Sequence, residues 1–133
     1  MSIFTQEYLA SDPTQNVTEL LDQDDVLAVI GYTSDCLEPS TPGYIPTGLG
    51  PLGALDQEVI RYPFGRAERG VTDRCHWNVI GDLICVATWI SPAECRAIET
   101  STEQAYDRIL KVAEQLGFAF PFRIWNLIPQ INN

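Results

Sequence analysis

Residues 74–90 read RCHWNVIGDLICVATWI, two runs rich in β-branched and aromatic side chains separated by Gly81 and Asp82. Glycine in the first central position of a two-residue loop suits a type II′ turn, so the stretch predicts a hairpin with Ile80 facing Leu83. That register sets Val79 opposite Ile84, Trp77 opposite Val86 and Cys75 opposite Thr88, and these side chains are expected to form the core face. The other face would carry Arg74, His76 and Asn78 beside Leu83, Cys85, Ala87 and Trp89, and is expected to be partly wet.

Downstream, Ser91-Pro92-Ala93-Glu94 is a capping box with proline at the first helical position, and Thr100 to Glu103 offers a second helix start. Tyr106, Ile109, Leu110, Ala113 and Leu116 recur at helical spacing, and Gly117 supplies a left-handed stop. Phe118 to Ile131 then predicts a last strand. Upstream, Gln57 to Tyr62 reads as a strand closed by Pro63. Thr33 to Gly53 is dense in proline and glycine, which predicts a long ordered loop or lid. Val26 to Ile30 is a continuous apolar run, as in a strand buried on both faces. Residues 1–25 are expected to be a polar lead-in, and residues 26–133 a single domain. The switch from a period of two to a helical period at Ser91 gives the fold class: α+β, a mixed or antiparallel sheet with one main helix packed on one face.

Composition narrows the function classes. Of 133 residues, 45% are hydrophobic and 20% charged, the make-up of a folded domain. Eighteen acidic residues against eight Lys and Arg give a net charge of -10, a surface that repels phosphate backbones, so no nucleic-acid partner is expected. No apolar stretch approaches the ~20 residues that span a bilayer, and residues 1–10 lack the pattern of a signal peptide. The expectation is a cytoplasmic protein with no membrane contact. Cys36, Cys75, Cys85 and Cys95 form no CxxC pair and lie near no histidine cluster, which signals reduced thiols and no metal.

Candidate chemistry is sparse. His76 is the single histidine, and no nucleophile–histidine signature, phosphate loop or dinucleotide fingerprint occurs. Arg61, Arg66, Arg69 and Arg74 place half the cationic residues within fourteen positions, a set that could hold a small carboxylate bidentately or form surface pairs with Glu58, Glu68 and Asp73. Arg123, Trp125 and Asn126 form a second group, with Arg123 and Trp125 on one side of the last predicted strand. The ligand-binding candidates are therefore Arg61, Arg74, Arg123, Trp125 and Asn126.

The string RIWNLIPQIN at 123–132, preceded by AYDRIL at 105–110 and by DDVLAVIGY at 24–32, resembles the first half of the chorismatase family, particularly its hydroxybenzoate-forming branch. The resemblance runs from about Asp24 to Asn132, and Arg123, Trp125, Asn126, Pro129, Ile131 and Asn132 are its most specific part. It implies a RidA/YjgF-like (chorismate-mutase-like) fold, truncated here. It also implies a cofactor-free lyase or hydrolase that converts chorismate to pyruvate plus a hydroxybenzoate or a dihydroxycyclohexadiene acid. Family chains hold two such halves, and the carboxylate-binding arginines and proton donor are implied to lie in the second. No catalytic residue is carried over to this chain, which is expected to be inactive alone. The partner is then either a missing catalytic half or, for a free-standing protein, further copies in a homo-oligomer binding a chorismate-like carboxylate at a subunit interface.

Overall fold

A computed structural model describes residues 5–10, 16–33, 41–48 and 55–118. The predicted last strand, the larger part of the Thr33–Gly53 segment and Cys36 lie outside the described residues. The elements are β1 (Thr5–Ala10), α1 (Val17–Leu21), β2 (Val26–Gly31), β3 (Tyr44–Pro46), β4 (Leu55–Arg61), β5 (Glu68–Thr72), β6 (Cys75–Ile80), β7 (Leu83–Ala87), a 3-10 turn (Glu94–Ala97) and α2 (Ile98–Gln115). Among the described residues they make an α+β fold of two small sheets and one main helix.

The first sheet runs β1-β4-β2-β3, antiparallel except for the parallel pairing of β2 with β3. All six residues of β2 are buried, because both faces of this sheet are covered. Val26, Val29 and Val59 pack on one side under Leu20 and Leu21 of α1, a short helix capped by Asn16, whose Oδ1 accepts from Glu19 N at 2.9 Å. On the other side Leu27, Ala28, Ile30 and Ile60 meet Tyr62 and Ile80, with Leu83 and Cys85 against them. Elements β1 and α1 both fall within residues 1–25, whose sequence suggested only a polar lead-in. Burial of Leu20 and Leu21 and backbone pairing of β1 with β4 bring that segment into the fold. Likewise β3 lies inside the proline- and glycine-rich segment read as loop or lid.

The second sheet is the antiparallel run β5-β6-β7. Its hairpin has the expected register, Ile80 with Leu83, Val79 with Ile84 and Trp77 with Val86. Gly81 takes φ +57° and a Cβ there would stand 2.9 Å from the Phe64 carbonyl oxygen, so the turn requires glycine. Tyr62 OH bonds Asp82 and ties the turn to the strand before it. Strand β5 has no signature legible in the sequence. It joins β6 through Asp73 (φ 48°) and Arg74 (φ 61°), two non-glycine residues in the left-handed region that a type I′ turn requires.

The expected assignment of the hairpin faces is corrected. On the expected core face Cys75 is fully buried but Trp77 and Val79 are only half-buried, whereas His76, Asn78 and Ile80 on the face expected to be partly wet are all buried. The reason is layering: the His76 face meets the first sheet, and the Cys75–Thr88 side meets α2, where Arg108 Nη2 donates to Thr88 Oγ1 at 3.4 Å. The helix seam also differs from the apolar stripe. Ser101, Ala105 and Val112 are buried while Leu110 and Leu116 are exposed, so small side chains, not the largest, mark the contact. The capping box forms, with Glu94 N donating to Ser91 Oγ at 3.2 Å and Ser91 N to Glu94 Oε1 at 3.1 Å. At the other end Phe118 N bonds Ala113 O and Gly117 N bonds Glu114 O, a Schellman stop with Gly117 at φ +93°.

Candidate functional site

The four arginines between 61 and 74 do not converge. Arg61 Nη1 donates to Gln23 Oε1 at 2.7 Å and to Asp25 Oδ1 at 3.0 Å, bracing the loop that precedes β2. Arg66 stands in solvent, 3.6 Å from Asp24. Arg74 Nη2 reaches Glu94 Oε1 at 2.7 Å and Trp89 O at 3.3 Å, linking the β5–β6 turn to the start of the α2 segment. Arg74 and the two Ser91 bonds hold the Glu94 carboxyl down to about 2. Arg69 points inward instead, with Nη1 donating to Leu21 O at 3.0 Å and Nη2 to Val26 O. Arg123, Trp125 and Asn126 lie outside the described residues.

Polar groups gather between the two sheets. His76 is 5% exposed and Asn78 1%, two positions apart on one face of β6. Arg69 is the ladder partner of Asn78, so its side chain leaves the same face. Of the six buried side-chain polar atoms without a hydrogen-bond partner among the described residues, four belong to this trio: Arg69 Nε, His76 Nδ1, and Nδ2 and Oδ1 of Asn78. The segment Thr41–Gly43 crosses above them. The Thr41 backbone hydrogen-bonds His76, and a Cβ on Gly43 would sit 2.8 Å from Arg69 Nε. Trp89 closes the flank, its ring edge-to-face with His76 at 5.0 Å.

The electrostatics follow from burial. Desolvation lowers the His76 imidazole below its ordinary value, with the Thr41 bond opposing in part, and also lowers Arg69, which nearby Asp22 partly restores. On the facing sheet Glu58 is 5% exposed and accepts from Tyr32 OH at 2.8 Å. Cys85, the ladder partner of Asn78, has its thiol pushed up to about 11 by burial, and burial also raises Cys75, so neither is a ready nucleophile. Among the described residues no three His, Cys, Asp or Glu side chains could hold a metal ion, and no helix is long and apolar enough to cross a membrane.

In the sequence Arg69 stands out only as one of four clustered arginines and His76 only as a lone histidine. The signal that could have joined them is the His-x-Asn alternation on β6, but reading it requires the β5 pairing, which the sequence does not announce.

In comparisons with known proteins, no curated protein and no solved structure matches this chain. A family model does match, that of the chorismatase FkbO/Hyg5-like N-terminal domain, over residues 61–133. The matched stretch opens at the end of β4 and takes in the whole second sheet and α2, together with the RIWNLIPQIN string. The earlier DDVLAVIGY string falls outside it. With more than half its length matched in this way, the chain belongs to the chorismatase FkbO/Hyg5-like N-terminal domain family.

Proposed function

We propose that this chain is the N-terminal half of an enzyme that converts chorismate to pyruvate plus a hydroxybenzoate, and that it supports a catalytic half without carrying the chemistry itself. The observation behind the reading is the family match over residues 61–133, joined to the dispersal of the arginines. Eliminating pyruvate from chorismate requires cationic donors that hold two carboxylates and an acid that protonates the departing enolpyruvyl group. Arg61, Arg66 and Arg74 are instead spent on separate local partners, and Glu58 is engaged by Tyr32.

The reading is tested by incubating the purified chain with chorismate and following pyruvate through a coupled dehydrogenase. The expected rate equals the spontaneous one. Turnover clearly above it, abolished by Arg123→Ala, would overturn the non-catalytic assignment.

A further inference from the structure

We propose that the inter-sheet face formed by Arg69, His76 and Asn78 is a binding seat for the carboxyl group of a small organic acid, taken up together with one proton. The seat is separate from the chorismate reading above and does not depend on it.

Buried polar atoms are nearly always paired, and each one left alone destabilises the fold by the uncompensated loss of its hydration. Four such atoms on three adjoining positions of one sheet face is a concentration that side-chain packing does not explain. Their chemistry defines what would satisfy them. Arg69 Nε–H and the Asn78 amide N–H are donors standing opposite each other across the β5–β6 ladder, an arrangement suited to the two oxygens of a carboxylate. A carboxylate alone leaves Asn78 Oδ1 and His76 Nδ1 unmatched, since both then lack a hydrogen. One proton from solvent, bound at His76 Nδ1, supplies it: Nδ1–H donates to Asn78 Oδ1 while Arg69 Nε–H and the Asn78 amide N–H hold the carboxylate, so all four orphan atoms are paired. The proton also balances the charge, because a buried anion enters with a compensating imidazolium.

The charged and titratable groups around His76 agree with a net neutral guest. Glu58 of β4, with Tyr32 bonded to it, lies on the facing sheet, Arg69 lies on β5, and Cys85 on β7 keeps its proton at neutral pH. No described residue of the Thr41–Gly48 roof is charged. An unaccompanied anion would meet the field of a chain with net charge -10.

The test is nuclear magnetic resonance of the full chain, observing the His76 ring nitrogens and the Asn78 side-chain amide. Formate and acetate are titrated against chloride at matched ionic strength, with acetamide as the uncharged isostere. Expected is a saturable shift at both residues with formate or acetate, whose apparent Kd tightens about tenfold for each unit of falling pH above the imidazole's own titration, as uptake of one proton requires. Asn78→Leu, close in volume, should abolish the shift, and His76→Gln should remove its pH dependence. No shift beyond the chloride control, a Kd independent of pH, equal binding of acetamide, or undiminished binding in Asn78→Leu would each overturn the proposal.

Discussion

His76 shows what a single strand position can hold. Its ring is almost fully enclosed, between the Thr41 backbone above and Trp89 beside it. Burial favours the neutral form, so the folded chain binds a proton less readily than the unfolded chain does. The sign is therefore fixed: full stability lies above the unfolded value of about 6.5, and stability is lost progressively as pH falls from there toward the lower folded value. Urea midpoints measured without added carboxylate should drop between about pH 7 and about pH 5, and His76→Leu should flatten the drop. A midpoint that holds steady in the unaltered chain across that range would refute the assignment.

At the scale of elements, the α2 segment depends on its entry. Proline at 92 fixes the first turn, and the reciprocal bonds of Ser91 and Glu94 satisfy two amides that the helix itself leaves bare. Arg74 adds a second hold on Glu94 from the β5–β6 turn, so helix and sheet share one carboxylate. Ser91→Ala removes an acceptor at this cap and should lower stability by about 1 kcal/mol. Thermal unfolding followed by circular dichroism reads this directly, and an unchanged midpoint would show that the 3-10 turn holds without its box. The helix stop was legible because glycine after the last periodic residue has one economical role. The helix seam was not, since apolar size suggested Leu110 and Leu116, whereas contact fell on Ser101 and Ala105, where the helix can come close.

Across the whole molecule, large apolar side chains remain at the surface: Phe64, Val71, Ile98, Leu110 and Leu116 are each more than a third exposed. Exposed apolar area of this kind marks association surfaces when it is contiguous. We expect the chain to form a homo-oligomer, dimer or trimer, or to pair with the proposed catalytic half. Light scattering at about micromolar concentration checks the first expectation, a range where specific interfaces of ordinary size hold together. A monomer there would contradict self-association.

What the sequence determined by itself is local. The Gly81-Asp82 hairpin and its register, the buried run of β2, the capping box at Ser91 and the stop at Gly117 each rest on residues within a few positions of one another. The RIWNLIPQIN string carried the family for the same reason, since a contiguous motif needs no fold to be recognised. Tertiary structure alone decided which hairpin face is buried. Period-two alternation names two faces but not what lies against each, and here a second sheet covers the polar one while α2 lies over the other. The same holds for the trio of Arg69, His76 and Asn78. Arg69 meets Asn78 only because Asp73 and Arg74 adopt a left-handed turn that most residues avoid, and without that turn β5 does not fold back beside β6.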